Sequence, residues 1–296
     1  MKTLLTGASG FLGSYLIKRL SGEIITLGRS ESNTIQCALD REIPILPELD
    51  FVIHNAGLAH RIPKTKEEEQ SFFSTNLTGT KNLLLALDQL HTSPKAIVFI
   101  STVAVYGLEH GEMIQESKLP EPNSPYAKSK FEAECILQDW SKRNSVNLTI
   151  LRLPLVAGGD HTPGNLGAMI KAIRNGYYRR IGKGEAKKSM VLAEDVAELI
   201  PTLISNSGIY NLTDGMNPSM KEFENYLGDF YGKKIKSIPP QLVSMATWIG
   251  DRLPGFPINT YRLTKLAQSL TFDDSKAKAE LGWRPRSVIG NLDLPN

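Results

Sequence analysis

The stretch that decides the fold is Thr3-Leu4-Leu5-Thr6-Gly7-Ala8-Ser9-Gly10-Phe11-Leu12-Gly13. An apolar run ends there in three glycines spaced G-x-x-G-x-x-G, and apolar residues follow at helical spacing at Leu16, Ile17 and Leu20. This pattern predicts a buried β-strand, a tight turn and the start of an α-helix.

Each glycine of the turn has a separate predicted role. Gly7 allows a positive φ, Gly10 allows a ligand to approach the backbone, and Gly13 allows the helix to pack closely on the strand. The unpaired N–H groups at the helix start favour an anion, and a dinucleotide pyrophosphate is the expected one. The predicted contacts are Gly7, Ser9, Gly10, Phe11, Leu12 and Gly13. The alternative is a strand–helix turn without a ligand.

Composition sets broad limits on the class of protein. The chain has 296 residues, 41% hydrophobic and 22% charged, which is ordinary for a globular protein of one large or two modest domains. A net charge of +3 is too small to indicate nucleic acid or an anionic membrane as a partner. Two cysteines, Cys37 and Cys135, cannot build a disulfide framework or a four-ligand zinc site, so we expect a cytoplasmic protein without a metal.

No targeting segment or membrane insertion is expected from the sequence. Gly7, Gly10 and Gly13 interrupt any signal-peptide core at the start of the chain. The uncharged run 237–250 is shorter than a membrane span and contains Pro239 and Pro240.

Apolar strands alternate with helices along the first half of the chain. Strands are predicted at 23–28, 35–39, 51–54, 96–100, 148–153 and 208–212, and helices at 66–90, 125–143 and 165–175. Region 190–200 is expected to be a strand or turn that leads into a helix. Continuous apolar strands between helices predict an α/β protein with a doubly wound parallel sheet covered on both faces.

The pattern changes after Pro154, where segments become short and proline-punctuated. We therefore predict a dinucleotide-binding domain over 1–156 plus about 189–213. A smaller substrate lobe is predicted over 157–188 and 214–296.

The end of the second strand, Leu27-Gly28-Arg29-Ser30, bears on the choice of cofactor. An acidic residue near this place usually binds the adenosine ribose, whereas an arginine accommodates a 2′-phosphate. Gly28 stands at the acidic position, and Arg29 and Ser30 follow, which favours NADP over NAD. A solvated arginine is the alternative reading.

Further cofactor contacts are expected after the third and fourth strands. Asp40 is placed to accept a hydrogen bond from the adenine amino group, and Ala56 and Gly57 are small enough to let the cofactor cross the sheet edge. A surface aspartate and an ordinary turn are the alternatives.

Tyr126 and Lys130 form the most informative pair, because their i, i+4 spacing puts them on one face of a helix. An ammonium and a cationic nicotinamide both favour the phenolate, so Tyr126 is a candidate proton donor or acceptor for an alcohol–ketone interconversion. Lys130 is also placed to hold the nicotinamide ribose. Ser101 and Thr102 end the preceding strand, where a hydroxyl can hold the reacting oxygen.

The chain resembles the extended short-chain dehydrogenase/reductase superfamily, in its NAD(P)-dependent epimerase/dehydratase branch, over nearly its full length. The matching motifs are Thr6-Gly7-Ala8-Ser9-Gly10-Phe11-Leu12-Gly13, His54-Asn55-Ala56-Gly57, Asn76-Leu77-Thr78-Gly79-Thr80, Ser101-Thr102-Val103-Ala104-Val105-Tyr106-Gly107, Ser124-Pro125-Tyr126-Ala127-Lys128-Ser129-Lys130, Leu151-Arg152-Leu153-Pro154, 191–196 and Leu281-Gly282-Trp283-Arg284-Pro285.

The resemblance implies a Rossmann domain, a small C-terminal lobe for a nucleotide sugar and a Thr–Tyr–Lys triad. The family's catalytic hydroxyl lies three residues before the valine of V-Y-G, which is Thr102 here. Asn165 matches a residue that contacts the nucleotide diphosphate, and Arg262 or Lys265 lies near the family's basic phosphate ligand. The implied site residues also include Pro154 for the cofactor and Val103 for the substrate, beside Thr102 and Tyr126.

Departures from the family pattern narrow the implied activity. Nucleotide-sugar 4,6-dehydratases place Asp-Glu after the catalytic threonine, where Val103 and Ala104 stand here, so dehydration is excluded. Epimerisation at C3 or C5 needs extra acid–base residues. Cys135 is badly placed for that role, and His60 and His161 fall on predicted loops.

Hydride chemistry at C4 of a nucleotide-linked hexose is what remains. Arg29 favours an NADPH-dependent 4-ketoreductase of a UDP-4-keto sugar, and a UDP-N-acetylhexosamine 4-epimerase with retained NAD is the alternative. An idle NADP-binding sensor or scaffold is a third reading. A homodimer through helices 66–90 and 125–143 is possible in this family.

Overall fold

A computed structural model describes residues 1–59, 61–159, 162–239 and 267–294. The strands are β1 (Lys2–Thr6), β2 (Glu23–Gly28), β3 (Ile35–Gln36), β4 (Phe51–His54), β5 (Ala96–Thr102), β6 (Gly111–Ile114), β7 (Asn147–Leu153), β8 (Leu155–Ala157), β9 (Arg179–Arg180), β10 (Met190–Leu192), β11 (Gly208–Asn211), β12 (Lys236–Ser237) and β13 (Leu270–Phe272). The helices are α1 (Phe11–Arg19), α2 (Lys66–Phe72), α3 (Gly79–Leu87), α4 (Pro125–Asn144), α5 (Gly164–Arg174), α6 (Ala193–Leu199), α7 (Met220–Phe230), α8 (Ser275–Leu281) and the kinked turn α9 (Val288–Asn291).

Seven parallel strands form the central sheet in the order β11-β7-β5-β4-β1-β2-β3. The order reverses at β1, so the α/β, doubly wound parallel sheet predicted from the sequence is confirmed. In register, Thr6 of β1 lies beside His54 of β4. The carboxyl ends of β1, β4 and β5 therefore meet at one edge, which is where ligands bind in such sheets.

Both faces of the sheet are buried, which explains the near-continuous apolar strands. Leu5 packs in a cluster with Leu16 of α1 and Val196 of α6. The next residue, Leu4, points to the opposite face and packs with Leu83 of α3 and Trp140 of α4. Each fully buried leucine contributes about 2 kcal/mol to folding.

The predicted helix 66–90 is divided in three. A π-helical turn, Phe73–Thr78, separates α2 from α3. Asn76 lies within this turn and is buried, although it interrupts the apolar face of the helix. π turns of this kind occur frequently at functional sites.

Of the short strands outside the central sheet, the sequence analysis anticipated β10, as the strand or turn that leads into a helix in region 190–200, and did not recognise the others. β10 pairs with β8, β9 with β12, and β6 with β13, each pair forming a separate two-stranded sheet. The predicted strand 35–39 is also reduced to Ile35–Gln36. Elements of two to four residues hold too few side chains for a period to be read.

A second core lies around α5 and α7, where Ile170, Phe223 and Leu227 pack with Leu192. The predicted domain boundaries stay a prediction. Ala277 of α8 and Trp283, from the region assigned to the substrate lobe, pack in the cluster that covers the sheet. Among the helices of the described residues, none combines the length and apolar character needed to cross a bilayer.

Candidate active site

The turn between β1 and α1 is built on close backbone approaches. Gly7 has φ +70°, and a Cβ there would lie 2.8 Å from the Cα of Ala56. A Cβ on Gly13 would lie 2.1 Å from the carbonyl oxygen of Gly7. Both positions therefore require glycine, because the atoms that a side chain would meet belong to the backbone.

The start of α1 offers free backbone donors to an anion. Gly10 donates its N–H to Gly7 O at 3.1 Å, and the first bond within the helix runs from Ser14 N to Gly10 O at 2.9 Å. The N–H groups of Phe11 and Leu12 precede that bond, and the first turn consists of uncharged residues. This arrangement fits a pyrophosphate, which would accept those N–H groups and meet the positive end of the helix dipole.

A cavity of about 520 Å³ lies where the adenosine end of a dinucleotide would be expected. Arg29 and Asp40, both predicted to contact the cofactor, line it together, and Arg41 joins them. The Nε of Arg41 is 3.7 Å from Asp40 Oδ2. The lining residues are Arg29, Gln36, Cys37, Ala38, Asp40, Arg41 and Glu42.

Sequence reasoning missed Arg41, although its place directly after Asp40 was a usable signal. Two guanidinium groups offer an anion more donors than Arg29 alone, and the carboxylates of Asp40 and Glu42 line the same cavity. Ser30, also predicted here, is exposed, and its hydroxyl hydrogen-bonds with Ser32 at 2.9 Å.

His54 fixes the ends of β1 and β4 and is buried. The Thr80 hydroxyl donates to Asn76 O at 2.6 Å, so it accepts from His54 Nε2 at 2.9 Å. Nδ1 is then unprotonated and accepts from the Thr6 hydroxyl at 2.8 Å, while Thr6 accepts from Ala56 N at 3.0 Å. Burial, with the nearby Lys130 charge, lowers the pKa of His54 to about 3. A neutral histidine thus holds Ala56 in place.

Asn76 connects the loop after β4 to α4. Its Oδ1 accepts from Leu58 N at 2.7 Å, and its Nδ2 donates to Leu58 O at 3.1 Å and to the Ser129 hydroxyl at 2.9 Å. Ser129 in turn donates to Tyr126 O at 2.9 Å. The π-helical turn therefore places Asn76 where it orders the backbone beside the tyrosine.

Thr102 and Tyr126 come together at the end of β5. Ser124 caps the start of α4, where its hydroxyl accepts from Ala127 N at 3.2 Å, and Pro125 occupies the first turn. The Thr102 side chain lies near enough to the Tyr126 phenol to lower its pKa. Burial raises the pKa of the Tyr126 phenol, and Thr102 opposes that rise. The sequence analysis expects an ammonium and a cationic nicotinamide to favour the phenolate, and burial of the phenol acts in the opposite direction.

Lys130 lies one turn after Tyr126 and is buried. Its Nζ is 3.9 Å from the centroid of the Phe99 ring, and a Cβ on Gly57 would lie 3.8 Å from it. Burial lowers the pKa of Lys130 to about 7, and the Glu134 charge opposes this. The Lys130 ammonium therefore lies next to Gly57, one of the small residues that follow β4.

Ser101 is directed away from this cluster. Its hydroxyl donates to Glu134, which also accepts from Arg152 Nη2 at 2.6 Å. Successive side chains of a strand point to opposite faces, so Thr102, and not Ser101, reaches Tyr126. Sequence reasoning did not single out the buried Glu134–Arg152 pair, although Glu134 lies at i+4 from Lys130.

The predicted substrate residues are less closely gathered. Val103 begins a short helical turn directly after Thr102, and Pro154 is half-buried between β7 and β8. Asn165 is exposed in the first turn of α5. Cys135 is half-buried on α4. Outside the described residues lie His60, His161, Arg262 and Lys265.

Comparisons with known proteins show the family of the chain. The family model described as the NAD dependent epimerase/dehydratase family matches residues 3–213. Among curated relatives, the N-acetyl-α-D-glucosaminyl-diphospho-ditrans,octacis-undecaprenol 4-epimerase of Escherichia coli O157:H7 is 28% identical, over 98% of this chain and 92% of the relative. The UDP-glucose 4-epimerase of Vibrio cholerae is 25% identical, over 97% and 91%.

A solved structure of similar fold is the UDP-glucose 4-epimerase of Thermus thermophilus in complex with NAD. Its TM-score is 0.73, with 24% identity and coverage of 96% of this chain and 94% of that one. At this identity the likeness shows the fold, and the family model carries the function class. The chain is therefore an enzyme of the short-chain dehydrogenase/reductase type that uses NAD or NADP, and it belongs to the NAD dependent epimerase/dehydratase family.

Proposed function

We propose that this enzyme transfers a hydride at C4 of a hexose linked to a nucleotide diphosphate. The observation that carries the proposal is the convergence of Thr102, Tyr126 and Lys130 at the edge of the sheet, beside the glycine turn. Val103 and Ala104, which follow Thr102, cannot move protons, so the site has the parts for oxidation or reduction at one carbon and lacks those for dehydration.

Each member of the triad has one role in this proposal. The bound cofactor supplies or receives the hydride. Tyr126 gives a proton to the C4 oxygen, or takes one from it, and Thr102 holds that oxygen by a hydrogen bond. Lys130 holds the ribose hydroxyls and, as an ammonium, stabilises the phenolate formed when Tyr126 gives up its proton.

One observation favours reduction of a UDP-4-keto sugar by NADPH. Arg29 and Arg41 line one cavity at the adenosine end, where a 2′-phosphate would be bound by charge-assisted hydrogen bonds.

A 4-epimerase with retained NAD is the second candidate, because both curated relatives reported above are named as 4-epimerases. One of them is named for a sugar on undecaprenyl diphosphate and the other for UDP-glucose. A sugar diphosphate is common to both, so the carrier on the far side of the diphosphate is either a nucleoside or a lipid.

The test measures turnover and cofactor choice together. Purified enzyme is supplied with UDP-4-keto sugar and either NADPH or NADH, and loss of absorbance of the reduced cofactor is followed. We expect net oxidation of NADPH, with Arg29→Ala and Arg41→Ala each raising the KM for NADPH about tenfold and leaving that for NADH unchanged. Arg143→Ala, at an exposed arginine of α4, is the matched control.

Other results have clear meanings. Tightly held NAD in the purified enzyme, with interconversion of C4 epimers and no net cofactor oxidation, would establish the epimerase. Cofactor binding without turnover of keto sugars or of C4 epimers would identify the idle sensor or scaffold.

We also propose a cytoplasmic location, where NADPH is available, and a homodimer through α2, α3 and α4. Phe72 is 1% exposed and its ring contacts that of Tyr126, so it supports the site from within the protomer. Light scattering of the purified protein measures the oligomeric state.

A further inference from the structure

We propose that the small lobe docks onto an anionic lipid surface through a cationic face defined by Lys171, Arg179, Lys233, Lys234 and Lys236. This inference goes beyond the proposed function and does not depend on it.

The charge of the chain is unevenly distributed. Residues 171–184 contain five Lys or Arg and no Asp or Glu, and residues 230–239 contain three Lys and no Asp or Glu. These two segments carry eight positive charges, although the whole chain carries a net +3. The remaining residues are therefore net acidic, and the low overall charge conceals a concentrated basic region.

The pairing of β9 with β12 brings the two segments side by side. Arg179 pairs with Lys236 and Arg180 with Ser237, and paired residues lie on the same side of a sheet. Arg180 is buried, with its Nε donating to Glu224 of α7. Because α7 takes the side of Arg180, Arg179 and Lys236 lie on the opposite side, where both are exposed.

The turn that follows α5 extends this face. A Cβ on Gly176 would lie 3.7 Å from the Cδ of Lys233, so the Lys233 side chain runs along that turn. The Arg179 guanidinium donates to Gly176 O at 3.3 Å, and Lys171 lies in the last turn of α5. Lys234 continues toward β12. The five cations thus surround one turn and one small sheet.

An exposed aromatic side chain accompanies the cations. Tyr177, in the turn after α5, is 63% exposed. Asp229 is the one carboxylate in residues 225–239. Lysine and arginine with exposed aromatic rings are the composition of proteins that lie on a membrane interface.

The arrangement favours an extended surface over a single phosphate. The cations come from α5, β9 and the segment that leads into β12, and they spread along the surface. The cavity at the adenosine end and a second one, of about 210 Å³ beside α1, are lined by other residues. An anionic bilayer presents many weakly held charges, and each Lys or Arg near it adds to binding independently.

The test is flotation of the full-length protein with vesicles, without substrate. We expect binding to phosphatidylcholine vesicles that contain about 30% phosphatidylglycerol, loss of that binding at about 0.5 M NaCl, and none to pure phosphatidylcholine. Changing Lys233, Lys234 and Lys236 together to Gln should weaken binding on the order of 100-fold, because each cation contributes about fivefold.

The control is a second triple variant with the same net charge as the first. It changes Lys64, Lys66 and Lys142, which are exposed and lie outside the cationic face, to Gln, and it should leave vesicle binding unchanged. Equal weakening in both variants would overturn the cationic face, as would unchanged binding in the first. Binding of RNA or of an acidic protein in place of vesicles would also overturn it. Thermal unfolding with NADPH shows that each variant is folded.

Discussion

At the scale of single residues, the site depends on which groups are buried beside each other. Tyr126 and Lys130 both lose hydration, and burial moves their pKa values in opposite directions, upward for the phenol and downward for the ammonium. Burial therefore opposes the charged form of each group, so the phenolate formed when Tyr126 gives up its proton depends on the opposite charge of the Lys130 ammonium.

Tyr126→Phe tests the proton transfer. We expect kcat to fall by about 10² to 10⁴, because the ring is kept and the proton donor is lost. NADPH affinity, measured by fluorescence titration, should change little, because the phenol contributes its proton mainly in the transition state. Tyr177→Phe, at an exposed position, is the control. Unchanged turnover of Tyr126→Phe would remove the tyrosine from the mechanism.

His54 gives a prediction about pH. Its folded pKa of about 3 lies below the ordinary 6.5, so the unfolded chain binds a proton first as the pH falls. Its contribution to stability is complete above pH 6.5 and is lost progressively toward pH 3. Between pH 7 and pH 4 this loss amounts to about 3 kcal/mol.

Urea unfolding of His54→Gln at several pH values measures the effect. The variant should lose about 3 kcal/mol less free energy of unfolding than the wild type over that range. His91→Gln, at an exposed histidine, should follow the wild type. Parallel pH profiles for wild type and His54→Gln would show that His54 is not held neutral.

At the scale of elements, three strand ends and one helix assemble the site. β1 ends in the glycine turn, β4 in Ala56 and Gly57, and β5 in Thr102, while α4 carries Tyr126 and Lys130. Because the strands are parallel neighbours, their carboxyl ends lie at one edge of the sheet, although the residues that follow them are far apart in the sequence.

Gly13→Ala tests the contact between β1 and α1. The new methyl would lie 2.1 Å from Gly7 O, so α1 must shift, and we expect a loss of stability of about 3 kcal/mol and weaker NADPH binding. Gly79→Ala is the matched control, because it also lies in a helix and its Cβ would find its nearest atom at 3.5 Å. That variant should be neutral, or more stable by up to about 1 kcal/mol. Similar melting temperatures for the two variants would contradict the packing.

At the scale of the whole molecule, a buried ion pair ties the sheet to the helix behind the site. Arg152 of β7 binds Glu134 of α4 through Nε at 3.2 Å and Nη2 at 2.6 Å, and Ser101 of β5 donates to the same carboxylate. The guanidinium also lies 4.8 Å from the centroid of the Tyr106 ring. One carboxylate therefore connects β5, β7 and α4 beneath the triad.

Arg152→Met should lower the free energy of unfolding by about 3 to 5 kcal/mol, because it leaves Glu134 buried without its partner. The double variant Glu134→Gln/Arg152→Met should recover part of this loss. Lys118→Met, which breaks an exposed pair with Glu121, should cost at most about 1 kcal/mol. Equal losses of unfolding free energy from Arg152→Met and Lys118→Met, measured by urea unfolding, would show that the buried pair matters no more for stability than the exposed one.

Local sequence determined the strand–turn–helix unit, the alternation that makes a doubly wound sheet, and the pair Tyr126–Lys130, because each depends on neighbours within one or two helical turns. Tertiary structure decided the features that form between segments far apart in the sequence. These are the approach of Gly7 to Ala56, the neutral form of His54, the second arginine in the cavity, and the basic face formed by β9 and β12. Those features arise from burial and from strand pairing between distant segments, which no local period encodes.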